Sequence, residues 1–295
     1  MYIRVAIAFG RLQREDRADE NACSPPFNAV GYLRLIVSLL PLTVEILKQV
    51  ESDSGIPVEI QSDPNLPGSH LAEVRMARGE QTSHLVLYKP DGTEPPDYLI
   101  CYQCGFILRL FRNKPTERFD LSSTAEGDAA VLRSVTAMHG KRGVPAQAMQ
   151  ELATFIYNSH LRQLRSYPIG FRVDRWIRDT APELIGLKKN AAFRQLRDNA
   201  AIFRPEVNQT IPEHNLKLNH TLNAAFAIFW AEILNQPELL GTYESTAFLG
   251  AARKLIAISD SVLDDPGSDC ALVNSWAKEL GMMHWYRWTC HASGA

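Results

Sequence analysis

The sequence predicts an α+β fold: a small antiparallel sheet around a buried helix, followed by an all-helical second half. Three observations predict it. Residues 97–113, DYLICYQCGFILRLFRN, form the densest apolar block of the chain. Between residues 56 and 88 lie short β-rich runs separated by Pro and Gly. Beyond Pro145, apolar residues recur at helical spacing, with Pro or Gly between the segments. The division this suggests is an α+β core over residues 1–127 and a helical part over 128–295 that completes and extends it.

Taken in order, residues 1–9 read as a short strand carrying Tyr2, Val5 and Ile7. Residues 10–26 are charged and end in Ser-Pro-Pro, so they read as a loop or arm. Residues 27–52 read as a helix kinked at Pro41. Residues 56–60 are a strand candidate, and 71–77 with 83–88 read as a hairpin across Gly79-Glu80-Gln81-Thr82. Residues 113–127 are polar and loop-like, and 128–139 form a short helix. From Pro145 on only helices are expected, over 144–165, 171–178, 184–203, 212–235, 246–261 and 271–281. The breaks fall at Tyr167-Pro168, Arg204-Pro205, Gln236-Pro237 and Pro266-Gly267.

The 97–113 block has no internal Pro, and Asp97 is placed to cap its N-terminus. A helix apolar on nearly all sides is a buried helix. With Gln103 and Arg109 inside, it is too short and too polar to span a membrane. A mid-helix Gly costs about 1 kcal/mol against Ala, so Gly105 calls for a packing reason.

Composition excludes several classes. Apolar content of 45% and charged content of 22% are ordinary globular values, and the net charge of −2 gives no strong field toward nucleic acid or membrane. Five cysteines without regular spacing do not form a disulfide framework. Residues 5–9 are too short for a signal-peptide core, so the expected setting is cytoplasmic, with reduced thiols. There is no Gly-rich phosphate loop, no GxSxG elbow and no paired-carboxylate signature.

One pattern in the central block points to a chemistry and also removes it. HExxH zinc peptidases place two His at i and i+4 on one helix face, with a Glu between them as general base. The run Ile100-Cys101-Tyr102-Gln103-Cys104-Gly105-Phe106-Ile107-Leu108-Arg109 resembles the corresponding helix of the ImmA/IrrE-like family in its Gly and its Ile-Leu-Arg tail. The resemblance continues through Tyr167-Pro168 and Phe171-Arg172-Val173-Asp174, Leu222-Asn223-Ala224-Ala225-Phe226-Ala227, and the Trp-rich end at Trp276, Trp285 and Trp288. It covers roughly residues 58–288. It implies a zincin-like core in which Tyr102 and Phe106 stand where that family has its His pair, and Gln103 where it has the Glu. It also implies that Asp174 matches an acidic ligand on a later helix. Phe106 has no donor atom, a Tyr hydroxyl binds metal only after losing a proton of pKa about 10, and Gln103 cannot take a proton from water. The expectation is therefore a catalytically inactive relative, with no metal and no cofactor. Its old cleft, lined by Tyr102, Gln103, Phe106 and Asp174, would grip a peptide or protein partner. The family association implies a bacterial stress-response, mobile-element or defence setting.

Two alternatives stand beside this reading. Cys101 and Cys104 form a CxxC and would be a thiol site if solvent-open. Residues 162–204 hold ten Lys or Arg against four Asp or Glu, and Arg172, Arg175, Lys188 and Lys189 would face a nucleic acid there. Against it, solvated helix faces with i,i+4 partners give the same composition. Among the histidines, His214 and His220 read as surface or capping residues and His160 as satisfied packing. His284 and His291 read as part of a terminal aromatic clamp.

Overall fold

The computed structural model describes residues 39–66, 71–90 and 95–291. The expected strand at 1–9, the arm at 10–26 and the helical stretch 27–38 lie outside these residues. Among the described residues the architecture is α+β, with two small sheets and a helical second half.

Helix α1 spans Pro41–Ser54. Pro41 is its first residue, where the missing N–H costs nothing, so Pro41 starts the described helix. The helix ends at Gly55, whose φ of 72° is the left-handed C-terminal conformation that Gly adopts without strain. Strands β1 (Val58–Ser62), β2 (Ala72–Arg75) and β3 (His84–Tyr88) follow, in the spatial order β1-β3-β2. The β2/β3 pair is antiparallel, as the hairpin pattern predicts, with Val74 opposite Val86. The β1/β3 pair is parallel, so the sheet is mixed where an antiparallel one was expected. The reason lies in β3: HLVLY is an almost unbroken apolar run, suited to a central strand with a neighbour on each side.

Helix α2 (Asp97–Phe111) crosses this sheet, with Ile100, Cys101, Cys104 and Ile107 fully buried. Asp97 does not cap its own helix. Its Oδ1 accepts hydrogen bonds from the Leu40 amide at 2.8 Å and the Thr43 hydroxyl at 2.6 Å, so it caps the start of α1.

The stretch expected to be loop contains strand β4 (Phe119–Ser123). It pairs antiparallel with β5 (Tyr286–Cys290), with Leu121 opposite Trp288. The expectation of helices alone after Pro145 thus fails at β5. Each strand is five residues long and its partner lies far away in sequence, so neither carries a local signal of pairing.

Helix α3 (Ala125–His139) is capped by Thr124, whose hydroxyl accepts from the Gly127 amide. Helix α4 (Ala146–Thr180) runs unbroken through Pro168, against the break expected there. An interior Pro costs about 3 kcal/mol. Packing offsets it, because α4 is buried along both halves. The remaining helices are α5 (Pro182–Ala200), α6 (Pro205–Asn208), α7 (Glu213–Ile233), α8 (Ala247–Ser261) and α9 (Asp269–Leu280).

Two apolar cores result, and α4 belongs to both. Phe171 stacks on Phe229 at 4.1 Å between ring centroids and meets Trp276 edge-on in the helical core. Val173 and Ile177 face the other way and close the sheet-side core with Val50, Val86, Ile100 and Ile107.

Two glycines set the distance between α2 and α4. A Cβ on Gly105 would overlap the Val173 methyls, and one on Gly170 would overlap the Tyr102 hydroxyl. This is the packing reason for a glycine inside an apolar helix. Gly105→Ala is expected to lower stability by about 1–3 kcal/mol, although Ala alone favours helix by about 1 kcal/mol. Urea unfolding reads this as a lower midpoint at unchanged slope; an unchanged or raised midpoint would show that the helices separate freely there.

Candidate functional site

Tyr98, Tyr102 and Phe106 recur every four residues and form one stripe along α2. The Tyr98 and Tyr102 rings lie 6.0 Å apart and nearly parallel, and Phe106 meets Tyr102 edge-on at 5.2 Å. On α4, Gly170 and Asp174 are likewise one turn apart. The Tyr102 hydroxyl and the tip of Phe106 lie against Gly170, and the Tyr98 hydroxyl donates a hydrogen bond to Asp174. The structure therefore brings Tyr102, Phe106 and Asp174 to one place. Gln103 is half-buried and lies off this stripe.

Helix α5 closes the place from the other side. The Lys188 ammonium sits 4.9 Å from the Tyr98 ring centre, 5.4 Å from that of Tyr102 and 5.7 Å from that of Trp230. Asp174 is buried, and desolvation pushes its carboxyl up to about 6 although Lys188 and the Tyr98 hydroxyl pull the other way. Burial and the Asp174 charge hold the Tyr98 and Tyr102 hydroxyls well above the ordinary tyrosine range.

These donors do not fit a zinc ion. One carboxylate engaged by a tyrosine, two phenols held protonated and a phenylalanine supply no ligand set. Among the described residues, no group of three His, Cys, Asp or Glu is placed to hold a metal.

Cys101 and Cys104 point into the sheet-side core and are fully buried. Cys101 Sγ lies 3.7 Å from the Thr43 hydroxyl, and burial pushes its thiol up to about 12. Burial raises Cys104 as well. A nucleophilic Cys needs access and an accessible thiolate, and this pair has neither.

The four basic residues considered for nucleic acid separate. Arg172 is only 1% exposed. Its guanidinium donates to Asp269, to Ser268 and to the carbonyls of Val262 and Leu263, so it holds the 262–269 turn and cannot reach a ligand in solvent. Arg175 pairs with Asp260 at 2.8 Å. Lys188 sits over the aromatic rings, and Lys189 is exposed, 5.7 Å from the Phe193 ring centre.

Two histidines differ from their sequence reading. His220 is buried, sandwiched between Phe203 and Phe248 at 4.2 and 4.6 Å, and desolvation lowers it to about 4. His291 bridges the two halves, with Nδ1 2.8 Å from Asp120 and Nε2 3.1 Å from the Ala77 carbonyl. Asp120 also takes Arg78 at 2.8 Å. The sequence carries no signal for this cluster, because β4 and β5 bring its members together from far apart.

Beside the cluster a groove of about 230 Å³ opens between α2, β4, β5 and the 262–270 turn. Phe106, Leu110, Phe119, Leu121 and Trp288 make it mainly apolar, and Arg109, Arg165, Glu117, Asp120 and Asp269 add charges of both signs. Phe106 is thus shared between the stripe facing α4 and the groove. No family model matches the chain, and no curated protein and no solved structure matches it.

The Asp174 environment has a pH consequence. A carboxyl whose folded value lies above its ordinary 3.8 contributes stability that is complete below that value and is lost as pH rises through about 6. Asp174→Asn, which still accepts from Tyr98, escapes this loss. Its stability relative to the native chain is expected to improve by up to roughly 3 kcal/mol between pH 4 and pH 7. Denaturant titrations across that range would read it; a gap independent of pH would mean that Asp174 ionises unhindered.

Proposed function

We propose that the chain is a catalytically inactive protein of zincin-like, ImmA/IrrE-like architecture that binds a peptide or protein segment. One observation carries the reading. Where the resemblance places a metal and its water, Tyr98, Tyr102, Phe106 and Asp174 fill the space with stacked and hydrogen-bonded side chains. The next face of the same helix opens into the apolar groove at Phe106 and Leu110. In this reading a large apolar side chain of the partner seats between Phe106, Leu110 and Trp288. Arg165 then meets a carboxylate of the same segment.

The resemblance also implies a bacterial stress-response or defence role. We place the protein in the cytoplasm. No helix among the described residues is long and apolar enough to cross a membrane. Burial of Arg172 weighs against the nucleic-acid alternative, and burial of both CxxC thiols weighs against the thiol enzyme.

Restoring the lost ligands tests the architecture. The double variant Tyr102→His with Phe106→His puts two imidazoles on the face that meets Gly170, one turn from Asp174. It is expected to take up about one zinc per chain by elemental analysis, while the native chain takes up none. A folded double variant without zinc, or a native chain with stoichiometric zinc, would overturn the zincin-like assignment. Displayed random peptides test the binding. Peptides retained by the native chain should share a large apolar residue beside an acidic one, and Leu110→Asp should release them. Retention that Leu110→Asp leaves unchanged would remove the groove as the site.

A further inference from the structure

A second cleft lies on the other side of Arg109, between α2 and the C-terminal half of α4. Its volume is about 360 Å³, within the size range of small-molecule sites. Arg109 and Arg112 are three residues apart on α2, and Arg175 and Arg178 three apart on α4, so each pair shares a helix face. All four line this one cleft, with Trp176 between the α4 pair. Only two carboxylates, Asp179 and Asp264, line it with them.

The four arginines are held unequally. Arg109 is anchored, donating through Nε and Nη2 to Asp269 at 2.8 Å each and meeting Asp264 at 2.9 Å. It acts as a fixed wall. The other three each have one carboxylate partner, and Arg175 also lies 5.7 Å from the Phe229 ring centre. Arg112 meets Asp53 at 2.9 Å, Arg175 uses Nη2 on Asp260 at 2.8 Å, and Arg178 uses Nε on Asp179 at 2.7 Å. These carboxylate side chains are 30%, 52% and 62% exposed. Exposed ion pairs of this kind contribute little, so a stronger anion can replace them at small cost. Further guanidinium nitrogens on Arg112, Arg175 and Arg178 remain beyond those pairings.

We propose that this cleft binds a phosphate-bearing small molecule of nucleotide size. Several planar donor forks converging on one space match the many oxygens of a phosphate or diphosphate better than a single carboxylate. The Trp176 ring offers an apolar face for a planar body attached to it. A long polyanion is disfavoured. Asp179 and Asp264 line the cleft, Asp53 and Asp260 pair with its arginines, and the chain as a whole carries −2. The site is separate from the apolar groove and does not depend on the peptide-binding reading.

Calorimetric titration of the full chain with ADP, inorganic pyrophosphate and adenosine tests the proposal. ADP is expected to bind, pyrophosphate to bind more weakly, and adenosine weakest of the three. Arg112→Ala and Arg178→Ala should each weaken ADP by about tenfold or more. Arg178→Lys should weaken it less, and Arg204→Ala, exposed and outside the cleft, should leave it unchanged. Thermal unfolding of each variant keeps loss of binding distinct from loss of fold. No binding of ADP or pyrophosphate at millimolar concentration would overturn the proposal. So would binding indifferent to Arg112 and Arg178, adenosine binding as tightly as ADP, or a 5′-phosphorylated oligonucleotide displacing ADP at lower concentration.

Discussion

The close approach of α2 and α4 is the constraint on which the other features depend. Gly105 on α2 admits the Val173 methyls and Gly170 on α4 admits the Tyr102 hydroxyl, so each helix takes a side chain of the other into the space a glycine leaves. That approach lets α4 serve both cores, with Phe171 turned to one and Val173 to the other. It also brings Asp174 within reach of Tyr98. The apolar groove and the arginine cleft open on either side of Arg109, on the same helix. Widening the contact by one methyl group would therefore disturb stability, the buried polar cluster and both clefts together.

The turn at 262–269 is the second fixed element. Arg172 reaches it from inside α4, and Arg109 from α2; both meet at Asp269. A buried guanidinium is costly unless its donors are satisfied. Here Nη1 and Nη2 donate to the turn's carbonyls and side chains, while Nε makes no hydrogen bond and lies 3.6 Å from Asp264. Removing Arg172 would take the guanidinium from the Val262 and Leu263 carbonyls, while Asp269 would keep Arg109. The turn thus forms a wall shared by both clefts and held from below.

The buried polar groups fall into two kinds. Some are closed and structural: Trp276 Nε1 donates to the Ser259 hydroxyl, and Asn223 donates to Asn219. Others leave a group displaced from its ordinary titration, as with Asp174. Against the tyrosine stripe Asp174 sits in a low-dielectric setting, and desolvation governs it.

The local elements are legible in the order of the residues. Apolar spacing located α2, α7, α8 and α9, because a face that repeats every three to four residues is recorded within a single stretch. The same spacing puts Tyr102 and Phe106 on one side of α2, and that neither offers a ready metal donor is a matter of residue identity alone. Tertiary structure decided what depends on partners far apart in the chain. It paired β4 with β5, whose five-residue runs contain no record of each other. It carried α4 through Pro168, because burial on both halves outweighs a local break. It sent Arg172 inward while leaving Arg178 in a cleft, a choice that composition cannot make, since both are the same residue in the same helix. It turned Asp97 toward α1 and built the groove wall from Phe119 and Trp288. In each case the deciding energy comes from contact between elements, and contact is fixed only when the chain has folded.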